Sequence, residues 1–351
     1  MKKSKYSDSS GNARQEGISD VGKAEVQRNQ GRYKPSQETI VLGTSALIAI
    51  ILSITLEGFF SLGNFFALLR SISVLGVFGL GMAIVVIGKG IDLSIVAIGF
   101  ATGALSVKMI NADYSLVLTL CVCIAIACGL GIINGFLISI VEIPALFATL
   151  ASSFLSLGIV RSTYVPNNVA NLAQEHNELL RLGGNIAGHI PIPVIIFTLC
   201  ALVVYLFLSR TVRGRFIYAH GDNADAARLT GIAVRPLTMV EYGLSAVIGY
   251  IGGMMMVISS GVLQYQVVEG TFIYDIILVV VLGGVSLVGG RGSVICVIAG
   301  SLLIGVMRNA MTIMNIDAQI QNIIMGGVLL MALVVDSYVH PRDDETAKQG
   351  D

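Results

Sequence analysis

The sequence predicts an all-α polytopic membrane protein with about ten transmembrane helices and both termini in the cytoplasm. Three observations carry that expectation: charge is scarce, apolar stretches of near-spanning length recur, and Lys and Arg fall mainly on one side of them. Of 351 residues, 54% are hydrophobic and only 13% are charged, against roughly 25% charged in a soluble domain. Of the 44 charged side chains, 13 fall in residues 1–39 and 6 in 337–351, leaving 25 for the 297 residues between. So few charges could not cover a water-soluble surface of that size. The composition excludes a soluble enzyme, a nucleic-acid binder and a disordered scaffold. The net charge of zero averages two polar tails with an apolar body.

Residues 1–39 hold eight Lys or Arg, and the first apolar stretch begins only near Ile40. A secretory signal would bring its apolar run promptly after a short basic start. The segment therefore reads as a cytoplasmic tail, disordered or serving as a regulatory arm. A spanning helix needs about 20 mostly apolar residues. Ten candidates follow: 40–56, 71–88, 92–109, 116–140, 143–160, 191–209, 238–258, 273–288, 293–310 and 319–336. They define a membrane domain over 40–336, with 337–351 as a second cytoplasmic tail. With the N-terminus inside, inner segments hold 17 Lys or Arg and outer segments hold 5, namely Arg70, Lys108, Arg161, Arg181 and Arg308. This asymmetry follows the positive-inside rule.

Helices in lipid approach through small residues. Gly76, Gly79 and Gly81, Gly129 and Gly131, and Gly249 with Gly253 are placed for that use. Gly88-Lys89-Gly90 and Gly290-Arg291-Gly292 form a faint internal echo of the repeats common in transporters. The five cysteines lie in apolar runs with no His or carboxylate at ligand spacing. They read as small buried side chains and not as a disulfide or metal set.

Ionisable groups near lipid are costly and are functional candidates by default. Asp92 and Ser94, in Gly88-Lys89-Gly90-Ile91-Asp92-Leu93-Ser94, suggest a broken helix or re-entrant turn. Asp92 can cap the next helix or bind solute or a proton. Asn134 lies within a segment and can face a translocation path or bond a neighbouring helix. Glu142 and Asp275 sit where helices end or begin, and Glu241 is a further acidic residue. No catalytic, cofactor or metal constellation is present. The phosphate-cradling Gly-x-x-x-x-Gly-Lys-Ser/Thr pattern does not occur, and His176, His189, His220 and His340 form no triad or metal pair. Energy must therefore come from an ion gradient or from another subunit.

Residues 210–236 carry five arginines with Asp222 and Asp225. Asp222 or Asn223 can cap a helix start, and Gly231 supplies its stop. A short helix with a small, smooth surface is expected between them. Two exposed turns are marginal alone, so the element is either an ordinary capped loop or an insert for a partner's groove.

Four ordered motifs resemble the ribose/simple-sugar ABC transporter permease family. Gly214-Arg215-x-x-Tyr218-Ala219-x-Gly221-x-Asn223-x-x-Ala226-Ala227-Arg228-x-x-Gly231-Ile232 looks like its cytoplasmic coupling loop. Gly90-Ile91-Asp92-Leu93-Ser94, Gly135 with Pro144 and Thr149-Leu150, and Leu282-Gly283-Gly284-Val285-Ser286-Leu287-x-Gly289-Gly290-x-Gly292 match its other signatures in order. The resemblance spans roughly residues 70–336. It implies a ten-helix, non-catalytic importer subunit in a bacterial inner membrane, similar to those of larger ABC systems. Its implied partners are a second permease copy or related permease, a cytoplasmic ABC ATPase and an extracytoplasmic solute-binding protein. Arg215, Asn223, Ala226, Ala227, Arg228 and Gly231 would then form the coupling-helix contact with the ATPase. This chain departs from the family at Lys89, where a glycine is usual, at Ile95-Val96, and at Glu142 and Ala145 beside the proline. The competing expectations are an ion-driven transporter using Asp92 or Asp275, and a channel or scaffold without turnover.

Overall fold

A computed structural model describes residues 36–163, 169–173, 185–186, 190–266 and 270–339. Most of the two polar tails, along with Arg181, His176, His189 and His340, lies outside the described residues. The helices run α1 (Gln37–Thr55), α2 (Leu62–Ile87), α3 (Ile95–Asn111), α4 (Leu116–Ser139), α5 (Ala145–Thr163), α6 (Ile192–Arg210), α7 (Val212–Asp222), α8 (Ala224–Leu229), α9 (Val234–Ser260), α10 (Phe272–Gly283), α11 (Val294–Ile313) and α12 (Ala318–Val339). Short strands β1 (Val169–Asn171), β2 (Asn185–Ile186), β3 (Ile190–Pro191) and β4 (Val262–Gln264) pair antiparallel as β1–β4 and β2–β3.

Among the described residues, seven helices are long and apolar enough to cross a membrane: α1, α2, α4, α5, α6, α9 and α11. Three apolar stretches are shorter, Ile95–Asn111, Phe272–Gly283 and Ala318–Val334. The chain is a polytopic helical membrane protein. Its core forms around α2, which is 83% buried along its apolar window, whereas α1 is 11% buried and peripheral. Val77, Phe78, Leu80 and Met82 on α2 are fully buried. They pack with Ile276, Val279 and Val280 of α10 and with Val297 and Ile304 of α11. On the other flank α9 packs along α4, α2 and α3. The approach is close where Gly253 faces the Gly99 backbone and Gly131 faces the Tyr242 carbonyl, since a side chain at either would collide with main chain. Gly129, expected to share that packing role, faces open space instead.

Several boundaries differ from the sequence reading, each for a local reason. The second helix begins at Leu62 and not near 71, because Ser61 Oγ accepts the Asn64 N–H and caps it there. Arg70 is thereby drawn inside α2 and does not belong to an outer loop. The segment 273–288 ends as helix at Gly283, since Gly284 takes φ +106, a left-handed stop that glycine adopts at no steric cost. Residues 284–292 then form an irregular turn. Helix α7 was not anticipated. Its arginine-rich sequence has no apolar stripe, yet Thr211 Oγ1 accepts the Gly214 N–H at 3.0 Å and starts it.

Candidate functional site

The candidate site is built by three segments that the sequence had assigned to one membrane face: the α2–α3 turn, the α7–α8 loop and the 284–292 turn. At Asn223 the chain takes φ −152 and ψ 106, which ends α7 and begins α8. Its Oδ1 accepts the N–H groups of Asp225 at 3.0 Å and Ala226 at 2.9 Å. The far end closes at Gly231, with φ +86. There Gly231 N–H donates to Arg228 O at 3.0 Å, and Ile232 N–H to Ala227 O at 3.1 Å, the paired closure of a Schellman motif. A six-residue helix, marginal in isolation, is thus bonded shut at both ends.

Its faces differ. Ala227 is 4% exposed and turns inward. Arg215, Ala226 and Arg228 are exposed, and Arg228 reaches Asp225 at 3.6 Å. With both side chains in solvent, that pair adds little stability. Leu229 is 90% exposed, the most exposed large hydrophobic side chain among the described residues. The sequence reading placed Leu229 in the helix but did not single it out as a contact.

The loop has a tight seat. A methyl at Gly221 would run into the Ile87 carbonyl and the Gly290 nitrogen. Those two groups are themselves joined, Gly290 N–H donating to Ile87 O at 2.8 Å. Tyr218 OH donates to Gly292 O at 2.9 Å. The two Gly-x-Gly stretches noted as an echo therefore meet beneath α7. His220 sits beside Lys89 and Arg228, and burial, then these two positive charges, hold its imidazole below the ordinary histidine range.

Under this seat Asp92, Ser94 and Asn134 come together, joined by a residue the sequence did not single out, Ser245 on α9. Asp92 Oδ1 accepts from Ser94 N–H at 2.9 Å and Ser94 Oγ at 2.6 Å, and Oδ2 accepts from Ser245 Oγ at 2.7 Å. Asn134 Nδ2 donates to Ser94 Oγ at 2.8 Å. All four are at most 1% exposed. The arrangement braces α3, α4 and α9 against one another, and the Asp92 carboxylate also takes a backbone N–H at the start of α3. Asp275 is engaged as well: its Oδ1 accepts from Arg308 of α11 at 2.7 Å. Arg308 also donates to Asn322 at 3.1 Å. Elsewhere a cavity of about 280 Å³ opens among α2, α9, β4 and α10, with Arg70, Ser71, Ser259 and Gln264 beside Phe272.

A family model described as the permease component of the branched-chain amino acid transport system matches residues 64–333. The chain belongs to this permease family. The match bears out the resemblance carried by the four motifs. The ribose import permease RbsC of Haemophilus influenzae is 30% identical over 311 residues, covering 88% of this chain and 95% of the relative. The Bacillus subtilis RbsC is 31% identical, covering 83% and 89%. The fructose import permease FrcC of Rhizobium meliloti is 28% identical, covering 84% of each chain. No solved structure matches the chain.

Proposed function

We propose that the chain is the non-catalytic permease subunit of an ATP-driven ABC importer. It would carry a simple sugar, delivered by an extracytoplasmic binding protein, across a bacterial inner membrane. The relatives that match over most of its length include ribose and fructose import permeases. The observation that carries the mechanism is the α7–α8 loop: a doubly closed helix, held down by glycine contacts, presenting Leu229 at 90% exposure. Docking of a partner on α8 would take Leu229 and the exposed Ala226 beside it out of water. In this reading ten apolar helices cross the bilayer with both termini inside. A second permease completes the pore, and the ATPase pushes on α8. Because α7 rests on Ile87 and Gly290, that push reaches α2 and the 284–292 turn directly. The cavity near Arg70, Ser259 and Gln264 offers the polar lining that a hydroxylated solute needs.

The ion-driven alternative expected from the sequence would use Asp92 or Asp275 as its coupling carboxylate. These two are held by serines and by Arg308. The test is reconstitution in proteoliposomes with the ATPase and binding protein. Uptake should require ATP, and Leu229→Asp should abolish co-purification of the ATPase while leaving membrane insertion intact. Uptake driven by an ion gradient without the ATPase would overturn the proposal.

A further inference from the structure

A cavity of about 210 Å³ lies beside the coupling loop, where the α2–α3 turn meets the end of α4, the start of α5, α7, α8 and the start of α9. Three polar atoms on its walls are buried without a hydrogen-bond partner: Ser139 Oγ, His220 Nδ1 and Glu241 Oε1. Glu241 is 1% exposed, and its carboxyl lies against Gly88 at the end of α2. Native interiors leave few such atoms unsatisfied, so three around one cavity mark a place where a partner arrives.

The charge around the cavity says which kind. Lys89, Arg228 and Arg235 all line it. Arg235 meets Glu142 at 3.5 Å, but both side chains are more than half exposed, so the pair is weak and the guanidinium can turn. Two helix N-termini also open on the space: α5 at Ala145, and α9, where Val234 N–H already donates to Ile232 O and Pro236 has none, leaving the Arg235 N–H. Helix N-termini and basic side chains together favour an anion. Lys89 takes φ +68, a left-handed conformation that glycine accepts freely and a lysine adopts only under strain. Glycine would take that conformation without strain, so a lysine there points to a use for its side chain.

We propose that this cavity binds a small phosphorylated polyol, its phosphate on Lys89, Arg228 and Arg235 and its hydroxyls on Ser139, His220 and Glu241. The space is smaller than the roughly 300–1,000 Å³ of drug-sized pockets, a size that suits a monosaccharide phosphate. Arg228 belongs to α8 and Lys89 to the seat of α7, so the ligand clamps the coupling loop to the α2–α3 turn. A phosphorylated sugar accumulating on that face would thereby slow coupling. That regulatory consequence rests on the permease reading, whereas the binding itself does not.

The test is calorimetric titration of the full chain, purified in phosphatidylcholine nanodiscs, with ribose 5-phosphate, ribose and inorganic phosphate. Ribose 5-phosphate is expected to bind at least tenfold more tightly than inorganic phosphate, with no heat from ribose. Lys89→Gly, which relieves the left-handed strain and so should fold, weakens ribose 5-phosphate at least tenfold. Glu241→Gln weakens ribose 5-phosphate several-fold and leaves inorganic phosphate unchanged. No binding at millimolar concentration, or binding unaffected by Lys89→Gly, overturns the site. Equal affinity for inorganic phosphate and ribose 5-phosphate overturns the polyol assignment. Because the readout is heat from the permease alone, its failure is distinct from a failure of ATP-driven transport.

Discussion

Replacing Asn223 with alanine tests the coupling assignment at its most local point. The side chain supplies both hydrogen bonds that close the start of α8, to Asp225 N–H and Ala226 N–H. Removing such a cap costs about 0.5–2 kcal/mol, typically near 1. In a long helix that loss would be absorbed. Here the helix has six residues, and its tertiary anchor is the single inward face of Ala227. The loss therefore falls on the equilibrium between formed and frayed α8, about a fivefold shift per kcal/mol. The affinity of the nanodisc-embedded permease for its ATPase, read by fluorescence anisotropy, should fall by up to about fivefold, in proportion to the fraction of α8 lost, with the thermal unfolding midpoint of the membrane body unchanged. Asn223→Asp keeps the acceptor oxygen and suits the positive helix end, so it should stay within about twofold of the original. Asn223→Gly should lose only slightly, since glycine caps cost a few tenths of a kcal/mol. If Asn223→Asp weakened docking as much as Asn223→Ala, the residue would be acting by direct contact and the capping argument would be wrong.

Ala226 and Ala227 should separate by readout. Ala226→Glu, on the exposed face, should block ATPase docking with the loop intact, whereas Ala227→Glu forces a charge into the seat and should open residues 212–231 to limited proteolysis. Asp275→Ala strands the Arg308 guanidinium and should cost about 3–5 kcal/mol, seen as a lower thermal midpoint. The paired change Asp275→Leu with Arg308→Leu should recover much of that loss, and a double variant no better than the single would refute the pairing. His220 sets a pH dependence. Its folded pKa lies below its unfolded value of about 6.5, so the unfolded chain takes up the proton first as pH falls. The stability contributed by the neutral ring is complete above about pH 6.5 and is lost as pH drops from there through the lowered folded value. Protection factors in α7 and α8, with exchange rates corrected for their base-catalysed intrinsic fall, should decrease as pH drops from about 6.5 to 5.5, and His220→Gln should flatten that profile.

Much of the fold was legible because bilayer burial leaves a one-dimensional record. Each expected apolar segment coincides with a helix, since about 20 apolar residues in a row have few other uses. The boundaries were less legible, because caps decide them and a cap is one side chain among many polar ones. Ser61 gave α2 an earlier start, and Gly284 gave α10 an earlier stop. Helix α8 was readable from Asn223 and Gly231, which carry its hydrogen-bonding logic in their residue types. Helix α7 was not, because its seat depends on Gly221 fitting against the main chain of Ile87 and Gly290, both far away in sequence.

The candidate residues divide in the same way. Asp92, Ser94 and Asn134 were selected because polar groups are expensive in an apolar run. Ser245 is just as buried, but an uncharged hydroxyl carries no comparable signal, and only its 2.7 Å bond to Asp92 reveals it. Asp275 read as a helix-end residue until the fold placed Arg308 against it. Leu229 is an ordinary leucine in the sequence, and its meaning comes entirely from its being left in solvent.

The sequence by itself determined the solvent, the helices and the segment where charge concentrates, because hydropathy and charge placement act locally along the chain. Only the tertiary structure decided that Gly88-Lys89-Gly90, Gly221 and Gly289–Gly292 form one junction. It also decided that unpartnered atoms of Ser139, His220 and Glu241 surround one basic cavity. Close approach depends on the absence of side chains at positions up to about 200 residues apart, and no local pattern records which absences will meet.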